Sequence, residues 1–193
     1  MEEYYFANKA LEWAQAVIFQ GERTIETAQN NMMIFNDMYG DDFSLSLASK
    51  FRQESERNRF RIFMEEHFFI IALAKSIDFF KKFNHFDAIR NDIYNNWGKT
   101  TIDDIRNMRE HDDEFIVGKG KTRPQNFLHE YQSRRYISDA TSTIMDFSKR
   151  EYLLGGRLNI FEVVDFYNNK FKNINAIYEK LIKEIKNNEM NQF

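Results

Sequence analysis

Apolar residues recur at three- and four-residue steps along most of this chain, which is the period of an amphipathic α-helix. From residue 3 to 38 the stripe runs through Tyr4, Ala7, Leu11, Ala14, Ile18, Ile25, Ala28 and Met32. It predicts one long helix that Gly21 kinks or splits. Tyr39 to Asp42 reads as a turn, with Asp42 placed to cap the next helix. A second helical stretch begins near Phe43, with a break among residues 44 to 52, and continues to about residue 83. It is amphipathic through Phe60, Phe63 and Met64, then apolar on nearly every face at HFFIIALA, residues 67–74. A helix apolar all round predicts a buried, central element.

Asn84-His85 marks a turn, and residues 87–97 form a short helix with Ile89, Ile93 and Trp97 on one side, closed by Gly98-Lys99. Thr101 and Asp104 have the spacing of a capping box and predict a helix over 101–118, ending at Gly118. Ile102, Ile105, Met108, Phe115 and Ile116 share its apolar arc. Residues 118–125, GKGKTRPQ, read as a loop, and 126–137 as a short helix. ATSTIMDF and EYLLGG read as two short strands around Ser148-Lys149-Arg150, the one β signal in the chain. Asn159 is placed to cap a last helix over 160–186. Its seam of Val164, Phe171, Ile174, Tyr178, Leu181 and Ile185 suits a neighbouring helix in the bundle or across a dimer. The expected fold is all-α: one domain over residues 1–193, a bundle of about five helices with a small β-hairpin insertion inside 118–158.

Composition sharpens this picture. A chain of 193 residues can bury a sizeable core, and 20 Phe supply large aromatic knobs for it. Seven Gly and one Pro leave long helices uninterrupted. The absence of cysteine removes disulfides, zinc-thiolate sites and cysteine nucleophiles. The opening MEEYYFANKA lacks a basic n-region and an apolar h-region, so no signal peptide is expected. The longest apolar run, Phe68 to Ala74, is about seven residues against the roughly 20 that span a bilayer, which predicts a cytoplasmic protein with no membrane partner. Net charge is −3. Between Gly118 and Arg157, however, eight bases face four acids, a local excess that suits phosphate.

Candidate chemistry concentrates in TIDDIRNMREHDDEFIVG, residues 101–118. Arg106, Asn107 and His111 stand there in the order R-N-x-x-x-H. Metal-independent RNA cleavage needs a proton acceptor for the attacking 2′-hydroxyl and a donor for the departing 5′-oxygen, and histidine serves either role. A guanidinium stabilises the charge gathering on the phosphate. An amide one turn before the histidine orients the ring or a phosphate oxygen. On a regular helix Arg106 lies about 140° from His111, so the two meet only if the helix ends near His111, if they act from two sides of a cleft, or if two copies meet across a dimer. The plainer alternative is a charged helix surface, with Arg106 paired to Glu110 and Arg109 to Asp113 at i+4. Six acids and two arginines between Thr101 and Val117 leave that stretch strongly acidic. Glu65-Glu66-His67 is a poor metal site because its angular spread on one helix is large, and no cofactor motif is present.

Arg106-Asn107-x-x-x-His111 resembles the R-[polar]-x4–6-H signature of the HEPN superfamily, the higher eukaryotes and prokaryotes nucleotide-binding domains. Arg61–His67 and Arg123–His129 also satisfy Arg-x4–6-His, but of the three only Arg106 is followed by a polar amide. The resemblance covers the motif helix, and the remainder only as an order of helices. It implies a helical bundle that dimerises and acts as a metal-independent endoribonuclease of toxin or phage-defence type. It places Arg106, Asn107 and His111 as the catalytic set, with RNA as substrate and an antitoxin or nucleotidyltransferase as the kind of protein partner. Lys119, Lys121 and Arg123 become the expected phosphate contacts. The EHDDE sequence also resembles a branch in which the motif binds a nucleotide or a partner protein without catalysis.

Overall fold

A computed structural model describes residues 2–38, 45–111, 127–131, 134–138 and 142–190. Among them are five α-helices: α1 (Glu2–Met38), α2 (Leu45–Phe80), α3 (Asp87–Trp97), α4 (Lys99–Glu110) and α5 (Ile160–Met190). Five short strands accompany them: β1 (Phe127–Tyr131), β2 (Arg134–Ser138), β3 (Thr143–Asp146), β4 (Glu151–Leu154) and β5 (Leu158–Asn159). The fold is all-α with a small β insertion between α4 and α5.

α1 runs unbroken through Gly21, against the expected kink. Its buried face is a line of small residues, Ala7, Ala10, Ala14, Val17, Gly21, Thr24 and Ala28, on one helical side. Small side chains let neighbouring backbones approach closely. A methyl group added at Gly21 would collide with Val164 of α5 and press on Phe69 of α2. α1 and α2 are antiparallel: Phe6 packs against Phe79, with ring centroids 6.2 Å apart, while Gln20 reaches Glu65. α5 closes the bundle with Val163, Val164, Tyr167 and Ile174 buried. Tyr167 bonds Ser76 of α2 at 2.5 Å. Complete burial holds its phenol well above the ordinary tyrosine range.

The run at 67–74 is less enclosed than its composition predicts. Phe69, Ile70, Ala72, Leu73 and Ala74 are buried, but His67 and Ile71 are half-buried and Phe68 is exposed. α3 keeps its expected bounds. Gly98, at φ 77°, ends α3 by donating its N–H to Tyr94 O at 2.9 Å and then opens α4. Glycine alone adopts that φ without strain. α4 therefore starts at Lys99 without a side-chain cap, so the Thr101–Asp104 capping box does not form.

The expected hairpin is present. β3 and β4 pair antiparallel, Thr143 with Leu154 through Asp146 with Glu151. The turn between them is a single 3-10 turn, Phe147–Lys149, closed by Arg150 in the left-handed region at φ 55°. Asp146 stabilises it by accepting from Ser148 N at 3.1 Å and Ser148 Oγ at 2.6 Å. β5 adds a third strand through Leu153–Asn159 and Leu154–Leu158. Asn159 then caps α5 as expected. Its Oδ1 accepts from Phe161 N and Tyr152 N, each at 3.2 Å, so one side chain both starts the helix and pins β4. The helix expected at 126–137 is not formed. β1 and β2 pair there as an antiparallel two-stranded sheet, Phe127 with Ser138 through Tyr131 with Arg134. The expected turn at 39–42 lies outside the described residues, and so do Lys119, Lys121 and Arg123.

Candidate functional site

α4 buries Ile102, Ile105 and Met108 against the bundle, the inner part of the arc its sequence predicts. Phe115 and Ile116 lie outside the described residues. The helix stops at Glu110, well short of the expected Gly118. His111 leaves helical geometry at φ −130°, ψ 38°, while its N–H still reaches Asn107 O at 3.1 Å. Its ring is exposed.

Arg106 is half-buried on the same last turns. Its Nε lies 3.1 Å from Glu110 Oε2, an ion pair without hydrogen-bond alignment, and its Nη2 donates to Asn107 Oδ1 at 3.3 Å. The expected i+4 pair is thus present, and the Asn107 amide oxygen faces the guanidinium. Both partners of the ion pair are about one-third exposed, and such surface pairs contribute only about 0–1 kcal/mol. A phosphate competing for Arg106 has little to displace. Arg106 and Asn107 thus touch each other, half-buried, on the last turns of α4, and exposed His111 follows at the helix end.

The expected i+4 partner of Arg109, Asp113, lies outside the described residues, and Arg109 itself is buried. It turns inward, its side chain 1% exposed, and donates through Nη1 to Glu66 Oε2 of α2 at 2.7 Å. Its Nη2 donates to Thr143 Oγ1 of β3 at 2.9 Å, and that hydroxyl donates to Glu66 Oε2 at 3.0 Å. Tyr152 of β4 donates to Glu66 Oε1 at 2.8 Å. Burial first, and then the adjacent Glu66 carboxylate, hold the Tyr152 phenol far above its ordinary range, so it stays a donor. One buried carboxylate thus joins α2, α4, β3 and β4. The network also fixes the root of the insertion: the chain leaves α4 at His111 and returns at Ser142, and Arg109–Thr143 ties the two sides together.

The sequence holds one hint of this network, two consecutive glutamates at the threshold of an apolar run. Glu65 and Glu66 are both buried, but they point to different partners. Glu65 is held by Gln20 and Arg23 of α1, and Glu66 by Arg109. Glu65-Glu66-His67 is therefore not a ligand set, and no group of three metal-binding side chains occurs among the described residues. The basic excess after α4 is partly neutralised locally. Arg150 pairs with Asp165 at 2.8 Å and Lys149 with Asp146 at 3.3 Å. Burial lowers the pKa of Arg157, with the Asp104 carboxylate of α4 opposing the shift.

No helix among the described residues is long and apolar enough to cross a membrane. No protein-family model, curated protein or solved structure matches the chain.

Proposed function

We propose that this chain is a metal-independent endoribonuclease of the HEPN kind, with the end of α4 as its reactive centre. The supporting observation is the termination of α4 at Glu110, which leaves His111 exposed and non-helical beside half-exposed Arg106 and Asn107. In this reading the His111 imidazole takes the proton of the 2′-hydroxyl or supplies one to the 5′-oxygen. Arg106 exchanges Glu110 for the phosphate and stabilises its transition-state charge. Asn107 holds the guanidinium in place. Lys119, Lys121 and Arg123 bind flanking phosphates, and a second copy, an antitoxin or a nucleotidyltransferase would regulate the site.

The Arg106–Glu110 pair favours a second reading, a non-catalytic module whose α4 end binds a nucleotide or a protein. One experiment separates them. Purified protein is incubated with end-labelled RNA in EDTA beside folded His111→Ala and Arg106→Ala variants. The ribonuclease reading expects cleavage that His111→Ala lowers by about 10²–10⁴-fold, the usual contribution of a positioned acid or base. It also expects products carrying a 2′,3′-cyclic phosphate. Wild-type protein that leaves RNA intact between pH 6 and 8 while retaining nucleotide affinity would transfer the assignment to the binding module.

A further inference from the structure

Residues 57–63 of α2 read RNRFRIF, three arginines and two phenylalanines with no acid among them. Arg57, Arg59 and Arg61 are exposed, and so are both rings, Phe60 at 67% and Phe63 at 42%. The nearest acids are engaged elsewhere. Glu56 pairs with Arg52 at 3.5 Å, while Glu65 and Glu66 are buried and held by Arg23 and Arg109. α2 packs into the bundle through Ile62, Phe69, Ile70 and Leu73, so the two exposed rings are not part of the core. Large apolar side chains left in water among cations mark an interaction surface.

At about 100° per residue, Phe60 stands in the middle of this surface. Arg57 and Arg61 lie about 60° and 100° to one side of it, and Phe63 and Arg59 about 60° and 100° to the other. An open cleft of about 410 Å³ adjoins the Phe60 ring, lined by Gln53, Glu56, Arg57 and Phe60. A nucleotide chain has the matching layout, a flat base with a phosphate on either side. Aromatic rings stack on any base whose face is free, and arginines neutralise the backbone beside it. A base inside a duplex is already stacked on its neighbours, so the arrangement suits a single strand. The same surface leads to the end of α4. Glu66, which Arg109 grips, stands three residues past Phe63 and on the Phe63–Arg59 side of α2. Arg106 and His111 flank Arg109 along the chain.

We propose that this face of α2 binds single-stranded RNA, with bases stacked on Phe60 and Phe63 and with Arg57, Arg59 and Arg61 on the flanking phosphates. Delivery of the strand to His111 rests on the ribonuclease reading; the binding does not, and it is measured without cleavage. In the full chain carrying His111→Ala, in EDTA, fluorescence anisotropy follows a labelled RNA oligonucleotide free of self-complementarity over a range of salt. The same strand annealed to its complement serves as competitor. The expected result is binding for which the duplex competes poorly. Phe60→Ala should weaken it by about 5–150-fold, the range for losing one base–ring stack, and Phe60→Trp should retain it. Replacing Arg57, Arg59 and Arg61 together with Gln should make the slope of log K against log salt shallower by about 2. Circular dichroism should show the same helix content throughout, since all these side chains are exposed. Absence of binding, or binding that Phe60→Ala and the triple Gln variant leave unchanged, overturns the proposal and leaves the rings to a protein partner. Equal competition by the duplex overturns the choice of a single strand. With His111 intact, the two readings separate. Binding through α2 without cleavage keeps this surface and removes the ribonuclease. Cleavage undiminished by Phe60→Ala and by the Gln replacements keeps the ribonuclease and removes this surface.

Discussion

Glu66 accepts from Arg109, Thr143 and Tyr152, and with those three donors its charge is tolerated in a nearly dry site. A buried ion pair of this kind is costly to break on one side only, because the remaining charge stays buried without compensation. Arg109→Ala or Glu66→Ala should each lower stability by about 3–5 kcal/mol, read as a shift in the urea midpoint. The combined Glu66→Leu/Arg109→Met chain should lose much less than the sum, since an apolar pair of similar volume carries no desolvation cost. Equal and additive losses would mean that the four-way connection between α2, α4, β3 and β4 is not cooperative. Arg106, three residues earlier, offers the contrast. It pairs at the surface, and its replacement should leave stability nearly unchanged while abolishing any reaction at His111.

At the level of elements, α1 shows how far periodicity reaches. Its helical bounds follow from the three- and four-residue spacing, and Ala7, Ala14 and Ala28 of the expected stripe are buried with Leu11, Ile18 and Ile25 packed beside them, but Tyr4 and Met32 are exposed and Ala10, Val17 and Gly21 complete the contact face. Gly21 sits in the tightest part of that face. Gly21→Ala gains up to about 1 kcal/mol of helix propensity. Against that, the new methyl group must displace Val164 and crowd Phe69, both buried. Overpacking of this kind costs about 1–3 kcal/mol, so a net loss is expected, seen as a lower melting temperature with helicity retained. The β3–β4 hairpin and the Asn159 cap are legible in the sequence because their signals are local: alternating apolar residues, a short polar turn, and an amide before an apolar helix. β1 and β2 are not. FLHEYQSRRYIS has no Gly, Pro or Asn at its turn, so nothing in the sequence marks the reversal. The α4 motif is legible as residues but not as geometry, because the helix stop at Glu110 has no glycine to announce it. The inward turn of Arg109 depends on a glutamate 43 positions earlier, a distance at which i+4 reasoning has no information.

On the scale of the whole molecule, the Glu66–Arg109 contact holds α4 against the packed part of α2. Arg109 grips Glu66 one turn past Ile62, the first buried residue of α2 among those whose side chains are described. A chain in which residues 29–61 are replaced by a short glycine-rich turn keeps the core from Ala7 to Ala28 and from Ile62 to Phe80, because the antiparallel register sets Ala28 near the start of that core. It should fold cooperatively, with a single melting transition. It should also retain the Glu66–Arg109 network, so any cleavage of RNA by the full chain tests where the reactive centre lies. Activity that survives this replacement would place the reactive centre among the residues that remain, at the end of α4. Activity lost with residues 29–61, in a chain that still folds, would mean that they contribute to the reaction at His111.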